Sequence, residues 1–187
     1  NTLAGVVRAH VAAKQHNIQL IVGTRLDLED APSLLCLPTD RAAYGRLSQL
    51  LTLGKRRAEK GSCQLYLEDL LEGEIFKAGK GQIIIALPPD EPPDQGYINH
   101  LSNLKENFKK KLYLAVKHNY YGDDYQRIET LSQLAKGLFI PLVAVNDVHA
   151  HTSERRVLQD VLTCIREHCT IHEAGFRLHG NAERHLK

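Results

Sequence analysis

The chain has 187 residues, 43% hydrophobic and 25% charged, with 24 basic against 22 acidic side chains and a net charge of +2. One globular domain with a sizeable core is the natural reading, and the balance of charge does not by itself mark a nucleic-acid binder. Apolar runs are too short for a membrane span, no signal peptide is recognisable, and Cys36, Cys63, Cys164 and Cys169 are too scattered for a disulfide framework, so reduced thiols in a cytoplasm are expected.

Taken along the chain, Asn1 or Thr2 caps a predicted helix reaching about His16, with Leu3, Val6, Val7, His10 and Val11 at helical spacing. Residues 18–28 read as a strand, and Leu34–Leu37 as a second short one. Thr39-Asp40 caps a long helix whose buried stripe is Tyr44, Leu47, Leu50 and Leu51. Its end carries Lys55-Arg56-Arg57 and Lys60, which suit a helix C-terminus and also form the nearest thing to a basic patch. A loop over 60–64 and a short helix over 65–72 follow.

From Gln82 the pattern becomes regular. Strands are predicted at 82–88, 111–117 and 141–145. The first of these is followed by a proline-rich loop over 88–95 and a helix over 95–107. A helix capped at Asp123 or Asp124 carries Ile128, Leu131 and Leu134 and stops at Gly137. The last predicted helix starts at Thr152 or Ser153 and runs to about His168, with a short strand near 176–179. Strands apolar along most of their length, alternating with helices, describe an α/β domain with a parallel sheet.

In such sheets functional residues sit beyond the C-terminal ends of strands. That rule selects Gly23-Thr24-Arg25, Lys117-His118 and Asp147-Val148-His149. Asp147, His149 and His151 alternate, so on an extended chain they share one side, and a carboxylate with imidazoles is a ligand set for a divalent metal. Loop histidines hydrogen-bonded locally are the competing reading. Cys164, His168, Cys169 and His172 lack the paired knuckle of a zinc site, and Cys164 is expected in the core with Val157, Leu158, Val161 and Ile165. Arg155, Arg156 and Asp160 suit either solvent or a phosphate. No P-loop, nucleophile elbow or dinucleotide fingerprint is present.

With these strand ends in hand, the sequence resembles the PHP (polymerase and histidinol phosphatase) domain. More narrowly it is similar to the N-terminal region of bacterial C-family DNA polymerases, the DNA polymerase III α-subunit type. The likeness lies in Asn1–Gly5, Leu20–Gly23, Leu34–Leu37 with Tyr44–Leu47, Val145–His149, Val161–His168 and the run from Phe176 to Lys187. Gly23–Asp30, Gly54–Arg57, Tyr121–Asp124 and Asp160–His168 are closest in wording to the error-prone, damage-inducible branch.

The resemblance implies a distorted (β/α)7 PHP barrel truncated at its N-terminus, over 1–151, with 152–187 as a closing helix and a segment leading toward the polymerase palm. A chain with no Met that opens on a helix start is expected to be a fragment. His118, Asp147 and His149 match family metal ligands, for Mn or Zn. Arg25 and Ser33 stand where the family has a carboxylate and an imidazole, so a degraded metal site is expected, with Arg25 free to pair with Asp147 if it points inward. The parent is expected to be a DNA-directed DNA polymerase of damage tolerance, replication and repair, using palm-bound Mg. Its expected partners are primer-template DNA, a sliding clamp and accessory mutagenesis proteins, with no membrane. The fragment is expected to be a catalytically inactive scaffold that self-associates through an open sheet edge. The rival expectation is an active metal-dependent phosphoesterase, a 3′–5′ exonuclease or a small-molecule phosphatase.

Overall fold

The computed structural model describes residues 1–71 and 78–187. The chain forms two compact units, Asn1–Ala115 with Ala135–Val143, and Val116–Leu134 with Ala144–Lys187. The class is α/β, as expected, but the sheet is mixed rather than parallel. Its five strands stand in chain order: β1 (Thr24–Leu26), β2 (Leu34–Pro38), β3 (Gln82–Ala86), β4 (Leu112–Val116) and β5 (Leu142–Ala144). β1 pairs antiparallel with β2, and β2 antiparallel with β3, while β3 and β4 run parallel. The loop over 27–33 is too short for a parallel crossover, which needs a dozen or more residues, so β1 and β2 can only turn back on each other.

The helices are α1 (Val6–Gln15), α2 (Arg41–Arg57), α3 (Leu67–Leu71), α4 (Gln95–Phe108), α5 (Asp124–Gly137) and α6 (Arg156–Arg166). A turn of 3-10 helix, Ser153–Arg155, leads into α6. Position 72, at the end of the predicted short helix, lies outside the described residues.

In the first unit, alternate residues of β2 and the apolar run of β3 bury Leu34, Cys36 and Ile84 against Leu47 and Leu50 of α2 and Leu101 and Leu104 of α4. The α2 stripe is as predicted except at Tyr44, which is exposed, its place taken by Ala43. Asp40 caps α2 by accepting from the Ala43 N–H at 2.7 Å, and Asp94 caps α4 in the same way from Tyr97 at 2.7 Å. Asp40→Ala is expected to cost about 1 kcal/mol, read as a lower urea midpoint at unchanged slope.

Three expectations are corrected here. The strand predicted over 18–28 shrinks to Thr24–Leu26, with Ile18 and Ile21 exposed, because residues 18–23 lie outside the sheet. Gly23-Thr24-Arg25 is therefore the entry of a strand and not its C-terminal tip. The strand predicted near 176–179 is a single 3-10 turn, Gly175–Arg177. Finally, α6 buries Thr163 and Cys164 but turns Val157, Leu158, Val161 and Ile165 outward, Val157 at 72% exposure and Ile165 at 65%. Cys164 is a core residue as expected, but it lies on the helix face opposite to that apolar stripe.

Candidate functional site

Two loops and a tail of the second unit build the candidate site. The loop over 117–123 leaves β4 and is tied to the first residue of α5. There the Asp124 carboxylate accepts from the Asn119 N–H at 2.7 Å and from the Tyr121 N–H at 2.9 Å. Burial alone would raise the Asp124 pKa. Those two N–H groups, with His118 at 3.9 Å, outweigh it and hold the carboxyl below the ordinary carboxylate value. His118 itself sits edge-on to Tyr120, with ring centroids 4.3 Å apart, and faces Tyr125 at 6.0 Å. It is the locally partnered loop histidine.

Beyond β5 the chain is not extended. The strand stops at Ala144, and Asp147 adopts a left-handed backbone, φ 47°, a conformation that aspartate tolerates better than most residues. Asp147 and His149 meet nonetheless, with Oδ1 and Nε2 3.6 Å apart. A loop, rather than strand alternation, brings them together. His151 is exposed and lines a groove of about 400 Å³ with His149, Arg155, Leu158 and Leu186.

The residues that complete the site come from the tail over 179–187. The Arg184 carbonyl accepts from the His149 N–H at 2.9 Å and the Ala150 N–H at 3.2 Å, and Ala150 pairs with His185 in a parallel bridge. Arg184 Nη1 then lies 3.2 Å from Asp147 Oδ2, 3.3 Å from His149 Nε2 and 3.4 Å from His179 Nε2. Lys117 Nζ approaches the same Asp147 oxygen at 3.7 Å. Hydrogen bonding to His149, with the charges of Arg184 and Lys117, overcomes partial burial and holds the Asp147 carboxyl far below its ordinary value. Burial first, and then the Arg184 charge, lowers the His179 pKa and favours a neutral imidazole.

The same tail reaches the other loop. Asn181 Nδ2 donates to the Asn119 carbonyl at 2.7 Å, and Lys187 Nζ lies 3.8 Å above the Tyr120 ring. Arg156 of α6 holds the near end through the His179 carbonyl at 2.9 Å.

Of the three residues predicted as metal ligands, the structure brings together Asp147 and His149, and it gives His118 other partners. Among the described residues no three His, Cys, Asp or Glu side chains stand close enough to hold an ion. The donor set around Asp147 is filled by cations, so it does not fit a metal. Arg25 is occupied in the first unit, where Nε donates to Asp27 Oδ1 at 2.6 Å and Nη2 to Ser33 Oγ at 3.1 Å. A guanidinium does meet Asp147, but it belongs to Arg184, which sequence reasoning missed along with His179. Both sit in an irregular segment, where no periodicity signals a side chain's direction.

No family model matches the chain. Its similarity to known proteins is nonetheless extensive. It is 48% identical over its whole length to an error-prone DNA polymerase of Caulobacter vibrioides, covering 17% of that protein. It is 43% identical to error-prone DNA polymerase 1 of Agrobacterium fabrum, covering 16%, and 41% identical to an error-prone DNA polymerase of Pseudomonas aeruginosa, covering 17%. The chain is thus homologous throughout to one segment of these polymerases and spans about a sixth of their length.

Proposed function

We propose, for a chain homologous along its entire length to a segment of the error-prone DNA polymerases, that it is the PHP part of such an enzyme and serves it as a scaffold. The single observation that carries this reading is the whole-length identity of 48% to a protein about six times longer. In the whole enzyme, nucleotide transfer to a primer end would rest on palm carboxylates and Mg, with primer-template DNA, a clamp and accessory proteins as partners in the cytoplasm. Among the described residues no helix is long and apolar enough to cross a membrane.

Two features support a structural role for the segment rather than hydrolysis. The carboxylate that a PHP hydrolase needs for its metal is neutralised by Arg184 and Lys117. The outward apolar stripe of α6 is the kind of surface that other protein covers.

Primer extension by the full-length protein, wild type against His149→Ala, tests the reading. Extension is expected in both, with no 3′–5′ hydrolysis of single-stranded ends in either. Hydrolysis that is abolished by chelation and by His149→Ala would instead establish the phosphoesterase.

A further inference from the structure

We propose that Arg184 takes the place of a divalent cation at a centre built from Asp147, His149 and His179, and that this guanidinium is the one obstacle to metal binding there. The inference stands on the second unit's geometry and does not depend on the polymerase reading.

One nitrogen, Arg184 Nη1, is ringed by a carboxylate oxygen at 3.2 Å and two imidazole Nε2 atoms at 3.3 and 3.4 Å. A guanidinium nitrogen carries two protons, has no lone pair and can only donate. It therefore cannot hydrogen-bond fully to three acceptors at once. A spherical cation can serve all three, and one carboxylate with two imidazoles is a common donor set for zinc.

The separations show which cation the shell now fits. Zinc holds nitrogen and oxygen at about 2.0–2.2 Å, so the present radius is too wide for a metal and right for N–H contacts. Asp147 Oδ1 and His149 Nε2 are already 3.6 Å apart, an ordinary edge between two ligands of one ion. The His149 and His179 rings are neighbours, with centroids at 4.9 Å. Closing the shell requires only that the guanidinium leave.

The arginine also does a metal's mechanical work. A structural ion joins distant segments, and Arg184 joins residues 147–149 to 179–184 through its side chain and its carbonyl together. Among the described residues its Nε is buried without a hydrogen-bond partner. The group is thus held by what lies at its tip, at a cost that a purely packing role would avoid.

The test uses the full-length protein with Co²⁺ or Zn²⁺ alone as probe. Wild type, Arg184→Ala and the double variant Arg184→Ala/His179→Ala are titrated by calorimetry and by Co²⁺ ligand-field absorption. Arg184→Ala is expected to gain one saturable site with imidazole-type spectra, weakened on the order of a hundredfold in the double variant, while wild type shows no His179-dependent binding. If circular dichroism shows that Arg184→Ala is unfolded, Arg184→Gln replaces it. His179→Ala in the wild-type background, expected to leave bound metal unchanged by elemental analysis, decides in either case. A folded Arg184 variant that binds no more tightly than wild type would overturn the proposal. So would wild-type protein whose bound metal is lost on His179→Ala.

Discussion

Asp124→Ala is expected to destabilise the second unit by about 3 kcal/mol, since hydrogen bonds to a charged group contribute roughly 1.5–3 kcal/mol each and this carboxylate accepts two. The side chain is 5% exposed, so the Asn119 and Tyr121 N–H groups it leaves behind have little water to turn to. Tyr120 and Gly122 hold left-handed backbone between them, φ 59° and 96°, and they keep that shape only while the loop ends are pinned. Faster hydrogen exchange at residues 119–122, with a lower urea midpoint, is the expected reading.

The same carboxylate sets an acid sensitivity whose sign follows from its depressed pKa. Above its unfolded value, about 3.9, Asp124 is charged in both states and its contribution is fully present. As pH falls through the lower folded value the group protonates and the contribution is lost, because in that window the unfolded chain binds more protons. Asp147 is depressed for a different reason, the bond from His149 and the cations around it, and its contribution is lost in the same direction. Melting temperature should therefore fall steeply below about pH 4, and less steeply in Asp124→Asn.

Asp147→Ala is expected to release the tail over 179–187 at a cost of about 2 kcal/mol. Breaking a buried pair costs about 3–5 kcal/mol, and the carboxylate's 35% exposure calls for a discount toward the surface value. Arg184 and Lys117 would then face each other across the vacated position without their shared anion. Trypsin cleavage after Arg177 or Arg184 reads the release, rising about thirtyfold for 2 kcal/mol when opening is fast relative to cutting. Asp147→Asn keeps the shape and removes the charge, so it should recover only part of the protection.

Periodicity and caps made most of the fold legible. Asp40, Asp94 and Asp124 mark their helix starts, and the apolar runs at 82–86 and 112–116 are strands, because each signal is local. Strand direction was not legible at β1 and β2, where pairing is decided by loop length and by partners far along the chain. The α6 stripe reads as core on hydrophobicity alone, yet Thr163 and Cys164 are what it buries, since periodicity reports an apolar face and not what covers it.

The site was half legible. Asp147 and His149 were found for the right chemistry by the wrong geometry, a strand that ends three residues too early. A guanidinium opposing the metal was foreseen, but at Arg25, which Asp27 and Ser33 hold instead. Arg184 lies 37 positions after Asp147 in a segment without regular structure. No spacing rule reaches across such a gap.

Anomalous diffraction from crystals of the full-length protein, grown with Mn²⁺ and Zn²⁺ and measured at each metal's edge, tests the central claim most directly. The account predicts no anomalous peak among Asp147, His149 and His179, with the Arg184 guanidinium in density there. A peak within coordination distance of His149, with Arg184 swung away, would contradict it.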